Sequence, residues 1–191
     1  MTPLSILFQD EWLVAIDKPP GFLVHPSDQP KSDDLVAMKI LRDQIEKNIR
    51  VIHRLDQPTS GVVIFATNCS AARKLRKDFE KRRVKKRYLA MIHGHPSREE
   101  WICQAPLKKN PDSPEKPAET FFRVLEKQAQ QLAFIEAFPN SGRFHQIRRL
   151  PLSGVRSMQR IWRTNGNRNP DASTSKVAGV LPPDNPSQTC D

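Results

Sequence analysis

Apolar residues fall in short runs over the first third of the chain. Leu4 to Phe8 and Trp12 to Ile16 are two such runs, separated by Gln9-Asp10-Glu11, and the pattern predicts a hairpin or two neighbouring strands. Lys18-Pro19-Pro20-Gly21 ends the second strand, and Phe22 to His25 reads as one more short extended piece. From Ser32 the spacing changes. Leu35, Met38, Leu41 and Ile45 recur on one face of a predicted helix, with Ser32 or Asp33 as its N-cap. Val62 to Thr67 predicts a buried strand. Ala71 to about Val84 predicts a second helix, N-capped by Ser70. In it Leu75 and Phe79 lie one turn apart, while Arg73, Lys74, Arg76, Lys77, Lys81, Arg82 and Arg83 cover the rest, so this helix is too basic to be enclosed on all sides.

Farther along, Tyr88 to Ile92 predicts a strand, followed by His93-Gly94-His95-Pro96 and, at Lys108 to Pro117, a polar proline-rich loop. Thr120 to Leu125 and Leu132 to Ala137 predict two antiparallel strands. Asn140-Ser141-Gly142 then turns the chain into Arg143 to Leu150, where cationic and apolar residues alternate and would project on opposite faces of an extended segment. Past Leu150 no period of 2.0 or 3.6 residues persists. Gln159 to Arg163 suits a helical turn, and the remainder of Pro151 to Asp191 reads as irregular or disordered. Strands and helices in irregular order predict an α+β fold with a mixed, largely antiparallel sheet and flanking helices. One domain over residues 1–150 and a tail over 151–191 account for the chain, and no internal repeat is found.

Composition narrows the picture. A chain of 191 residues is long enough for one domain with a hydrophobic core plus such a tail, and 17 prolines against 7 glycines agree with a segment that does not pack. Lys and Arg number 31 against 21 Asp and Glu, a net charge of +10, so the surface should attract polyanions. Nucleic acid is the commonest of these, although an anionic membrane surface or simple solubility would explain the same charge. The cysteines at 69, 103 and 190 are far apart and form no CxxC pair, which suits a reducing compartment rather than a disulfide framework or zinc ribbon. The first residues lack the features of a signal peptide, and no apolar run approaches the length of a membrane span. A soluble, cytoplasmic monomer is the expectation.

The stretch Ile52 to Val63, IHRLDQPTSGVV, sets Asp56 two residues after Arg54 on a Pro- and Gly-bearing loop that leads into a strand. Read by itself, Asp56 suits an Asx-type turn that caps the Thr59 and Ser60 amides. It also suits a nucleophile, because a carboxylate attacks a sugar or ring carbon when it stays ionised and faces the substrate. A guanidinium nearby favours the charged form, and Arg54, Arg143 and Arg148 are candidates. Tyr88, the one tyrosine, follows Lys85-Lys86-Arg87. A phenol ring beside cations suits stacking on a nucleobase while the charges hold phosphates.

Three segments taken together, His53-Arg54-Leu55-Asp56 with Thr59-Ser60-Gly61, then Lys86-Arg87-Tyr88, then Gly142-Arg143-Phe144-His145-Gln146-Ile147-Arg148, resemble in content and order the active-site motifs of the RluA-type pseudouridine synthases. The amino-terminal ILFQDEWLVAIDKPPGFLVHPS is most similar to the TruC-like, tRNA-modifying branch, and the resemblance covers about residues 4 to 150. It implies an isomerase, free of metal and cofactor, that converts uridine in RNA, tRNA in particular, to pseudouridine. In that family's terms Asp56 is the aspartate that attacks the ribose anomeric carbon or the uracil ring. Arg54 enters the RNA stack as the uridine swings out, Tyr88 lies under the flipped base, and Arg148 is the arginine paired with the aspartate. His53, Arg143, Lys86 and Arg87 would contact the RNA. Flipping exposes a bond that a stacked helix shields, and phosphate contacts from the basic helix and Arg82 to Arg87 would offset its cost and make binding salt-sensitive.

The resemblance stops after Arg149. There the family continues through a short helix to a strand ending in Gly-Asp, and later adds another core strand, whereas here Pro151 would cost a helix about 3 kcal/mol. The C-terminal part of the fold is therefore expected to be missing or replaced, with a sheet edge left exposed. The alternative function is a catalytically impaired RNA-binding remnant, because binding needs charge and stacking whereas catalysis needs placement to a fraction of an ångström. A glycosylase-like hydrolase lacks a second carboxylate near the first motif. A metal site at His93 and His95 has no Cys, Asp or Glu immediately adjacent, and a kinase reading of His-Arg-Leu-Asp lacks the Gly-rich loop and the DFG segment.

Overall fold

The first two apolar runs form β1 (Ser5–Gln9) and β2 (Leu13–Lys18), antiparallel strands with Ser5 opposite Asp17 and Gln9 opposite Val14. Asp10 makes their turn: its carboxylate accepts from the amides of Trp12 and Leu13 at 2.8 Å each, and its own amide donates to the Leu13 carbonyl. The computed structural model of the chain describes residues 3–29, 31–129 and 131–149, and the backbone of 157–163. The chain divides into two compact units, Met1–Val84 and Lys85–Asp191.

In the first unit the helix expected from Ser32 begins later, as α1 (Ala37–Ile45). The reason is tertiary. Leu23 bridges Val36 in parallel, the Leu23 amide donates to Leu35, and the amides of Ala37 and Met38 donate to the carbonyls of Leu23 and Val24. Residues 35 and 36 are thereby held extended, and the first helical amides, which a side-chain cap would otherwise serve, are satisfied by the Phe22 to His25 segment. Val36 is the N-cap and makes no side-chain cap, while Ala37 and Leu41 face the core. Next come the two-residue β3 (Arg50–Val51) and β4 (Ser60–Ala66), whose Val63, Phe65 and Ala66 are fully buried. β2 and β3 both pair antiparallel with β4. α2 (Cys69–Glu80) is capped by Asn68, whose side chain accepts from the Ala71 amide at 2.9 Å, not by Ser70. It ends before Val84 because Arg82 turns left-handed (φ 57°) and Arg83 folds back onto Asp78. Its apolar side, Ala71, Ala72 and Leu75, packs with Ala66 and Ile52.

The second unit contains β5 (Tyr88–His93), β6 (Glu100–Gln104), β7 (Glu119–Gln128), β8 (Leu132–Pro139), α3 (Gln146–Arg149) and β9 (Ser157–Arg163). Its strands run β9-β5-β8-β7-β6, antiparallel throughout. Ala90, Ile92, Phe122, Ala133, Ile135 and Ala137 alternate inward along β5, β7 and β8, and Ile147 of α3 packs on the same core. Both units are α+β with antiparallel sheets, as the order of elements predicts.

Three further features depart from the expectations. β6 was not foreseen, because of EWICQ only Cys103 is buried and the run carries no apolar alternation. Arg143 to Arg149 is not extended: a turn leads into α3, with the Gln146 amide donating to Arg143 and the Arg149 amide to His145. The helical turn expected at Gln159 to Arg163 is instead part of β9, which pairs with β5 from Tyr88 opposite Arg163 to His93 opposite Ser157. An open strand edge offers a row of backbone partners that a short isolated helical turn cannot match. Residues 151–156 and 164–191 lie outside the described residues. Among the described residues no helix is long and apolar enough to cross a membrane.

Candidate active site

In the first unit the loop carrying Asp56 is braced against the turn that follows β2. Lys18, at the end of β2 and opposite Gly61, is 0% exposed. Its ammonium donates to the carbonyls of Pro19 and Phe22 at 2.8 Å and of Gln57 at 3.2 Å. Gly21 and Gln57 complete the brace reciprocally: the Gly21 amide donates to the Gln57 carbonyl, and the Gln57 side-chain amide donates to the Gly21 carbonyl. Gly21 adopts φ 87°, a conformation that glycine supplies without strain. Asp56, half-buried, immediately precedes Gln57. Its own turn is closed through the backbone, the Thr59 amide donating to the Asp56 carbonyl at 3.0 Å. Burial lowers the Lys18 pKa to about 8, and the attraction of the Asp56 carboxylate works against that fall. A cation therefore lies within electrostatic reach of Asp56 inside the same unit, and it is a lysine that the motif reading passed over. The signal in the sequence is a lysine closing an apolar strand directly before Pro-Pro-Gly.

The neighbours of Asp56 have different surroundings. His53 stacks on Phe79 of α2 at 4.7 Å, and its Nε2 accepts from the Ile64 amide at 3.1 Å, so this side chain locks the loop onto α2 and β4. Arg54 is exposed, with its guanidinium beside His25.

In the second unit Tyr88 opens β5, half-buried against the core. The Lys86 ammonium donates to the Ser141 carbonyl at 2.7 Å, and Arg87 is ion-paired with the buried Glu136 of β8, which Arg123 also approaches. Arg143 donates from Nε to the Pro117 carbonyl at 3.0 Å, and Arg148 is half-buried on α3. Gln146 organises this loop. Its Oε1 accepts from the Ser141 hydroxyl at 2.7 Å and the Arg143 amide at 2.9 Å, while its Nε2 donates to the Glu119 carbonyl and the Thr120 hydroxyl. All four hydrogen-bonding positions of the side-chain amide are used. Replacing Gln146 with leucine is expected to lower the unfolding free energy by about 2 kcal/mol, read by urea denaturation, because buried hydroxyls lose their partners.

Arg54 and Asp56 thus share one loop of the first unit, and Lys86, Arg87, Tyr88, Arg143 and Arg148 belong to the second. His95 donates from Nε2 to the Gln128 carbonyl at 2.9 Å, and among the described residues no cluster of three His, Cys, Asp or Glu could hold a metal.

Residues 12–152 match the model of a family described as RNA pseudouridylate synthase. The chain is 39% identical over 165 residues to tRNA pseudouridine synthase C of Haemophilus ducreyi, covering 76% of this chain and 68% of the relative. It is 36% identical over 154 residues to the dual-specificity RNA pseudouridine synthase RluA of Escherichia coli, covering 76% and 69%. The chain spans between 44% and 69% of the length of these and similar relatives. Among solved structures, human RNA pseudouridylate synthase domain containing 1 superposes with a TM-score of 0.65 at 26% identity, covering 78% of this chain and 66% of that one.

Proposed function

Since the chain belongs to the RNA pseudouridylate synthase family, we propose that it isomerises uridine to pseudouridine in RNA, with tRNA as the substrate and Asp56 as the nucleophile. The observation that carries this reading is the brace around Asp56. A half-buried carboxylate sits on a loop tied by Lys18, Gly21 and Gln57 to the end of a buried strand, within electrostatic reach of the Lys18 ammonium.

Each candidate residue then has a part. Asp56 attacks the ribose anomeric carbon or the uracil ring, so that the bond from the sugar to N1 breaks. The freed base rotates and rejoins the sugar through C5, and the bond between Asp56 and the sugar or ring breaks with its electron pair returning to the carboxylate; the proton on C5 leaves and N1 gains one. Tyr88 supplies the surface on which the flipped base stacks, Arg148 takes the part of the family's partner arginine, and Arg54 is the side chain that takes the vacated place in the stack. Arg143 contacts the backbone of the RNA. Lys86, Arg87 and His53 assist the same contacts while their bonds to Ser141, Glu136 and Ile64 hold the loops in shape. The catalytic domain proposed over residues 1–150 would take in β9 as well. No cofactor enters this chemistry, and a monomer acting in the cytoplasm suffices for it.

The test is incubation of the chain with a tRNA transcript carrying tritium at C5 of uridine. Tritium is expected to appear in water without free uracil. Free uracil in the product would mean hydrolysis in place of isomerisation. Retarded migration of the tRNA in a gel without tritium release would leave the RNA-binding remnant.

A further inference from the structure

We infer that His25 is a positioning residue for Arg54, and that its charge state gates RNA engagement: a neutral imidazole holds the guanidinium in place and an imidazolium releases it. This rests on the assignment of Arg54 as an RNA contact. His25 Nδ1 lies 2.6 Å from the Pro26 carbonyl oxygen, and His25 Nε2 lies 2.9 Å from Arg54 Nη1. A carbonyl oxygen only accepts, so Nδ1 carries a proton; a guanidinium only donates, so Nε2 presents a lone pair. Both contacts together are satisfied by one form of the ring, the neutral tautomer protonated on Nδ1. A second proton would set a donor against a donor and a positive charge against a positive charge.

The ring is mounted on a fixed base. Val24, the preceding residue, is 3% exposed, and its carbonyl accepts from the Met38 amide of α1. Leu23 bridges Val36, and Gly21 is tied to Gln57, so the His25 segment is held both to α1 and to the loop that carries Arg54 and Asp56. What α1 presents toward this segment is backbone, through Ala37 and Met38. On the loop side the charged group against the ring is Arg54, and the titratable residues within two positions of it are His53, engaged by the Ile64 amide, and Asp56. An exposed arginine carries large rotamer freedom, and a fixed acceptor removes that freedom before RNA arrives.

The experiment measures the dissociation constant of a fluorescent tRNA transcript, by anisotropy, for the full chain and its variants between about pH 8 and pH 5, the range in which histidines change charge. The wild type is expected to bind about tenfold more weakly at the acid end, the size of one charge-assisted hydrogen bond. His25→Gln, which keeps an oxygen acceptor but cannot charge, should retain the affinity of the wild type at pH 8 and lose the acid weakening. His25→Phe should bind about tenfold more weakly throughout, and in an Arg54→Ala background neither substitution should have a further effect. An unchanged acid profile in His25→Gln, or an equal loss from His25→Phe with and without Arg54, would overturn the inference. Tritium release by the wild type at pH 8 is scored separately: its absence counts against the isomerase reading, while the binding profiles still decide the role of His25.

Discussion

Asp56→Ala is expected to reduce tritium release from uridine-labelled tRNA by at least about ten-thousand-fold, because removing a nucleophile removes the bond-forming group itself and leaves only what binding contributes. Affinity for tRNA should change little. The fold should also persist: the turn at Asp56 is closed by its backbone carbonyl, which alanine retains, and the brace through Lys18 and Gly21 ends on Gln57. Asp56→Asn keeps shape and loses charge, so an equal loss there would assign the effect to the ionised oxygen. Single-turnover rates within about tenfold of the wild type in either variant would exclude Asp56 as the nucleophile.

The second large effect is expected at Lys18. Methionine in its place keeps most of the stem and removes the ammonium, which has two opposing consequences for stability. Three carbonyls lose a donor, at about 1 kcal/mol each or less, because Pro19 and Phe22 are half-buried and Gln57 is exposed, and water can replace the ammonium there. Against this, a cation no longer has to be desolvated. The net shift in melting temperature should be small. Turnover should fall about a hundredfold, since the loop loses its tie and Asp56 loses a nearby positive charge, and small displacements of a reacting group have effects of that order.

The pH dependence follows with a definite sign. The folded chain holds the Lys18 proton only to about pH 8, whereas the unfolded chain holds it to the ordinary 10.5. Between those values the unfolded state binds the additional proton, so this group makes stability rise with pH, and below about pH 8 its desolvation penalty is fully present. Activity should move the other way. As pH rises through about 8 the amine loses its charge and one donor, the brace loosens, and turnover declines. A melting temperature that rises over the interval in which wild-type turnover falls, with the decline absent from the residual turnover of Lys18→Met, is the expected result. Turnover with the same alkaline decline in both proteins would remove Lys18 from the explanation.

Gln146, Lys18 and His25 illustrate why part of the candidate site was not legible from sequence. None stands out by spacing. Lys18 reaches Gln57 over 39 positions of chain, Gln57 reaches Gly21 over 36, and His25 meets Arg54 over 29. Gln146 did fall within a recognised motif, yet its four bonds, two of them to Glu119 and Thr120 on β7, are not implied by that motif. Lys86 and Arg87 read as free phosphate ligands in a basic run, and only packing shows that one clamps the Ser141 loop and the other meets Glu136.

Local pattern suffices for the strands that bury one or both faces, because burial imposes a short apolar period on β2, β4, β5, β7 and β8 wherever the strand ends up. It also marks the segments proposed to carry the chemistry, since Asp56, Tyr88 and Arg148 stand in motifs that local residue types define. Long-range contacts decided where α1 starts, which weak segments become strands, and which cations hold loops. α1 begins at Ala37 because Leu23 and Val24 satisfy its first amides, and Ser157–Arg163 is extended because β5 offers it an edge. Hydrogen-bonding demand from a distant part of the chain set each of these outcomes, and a local pattern carries no record of it.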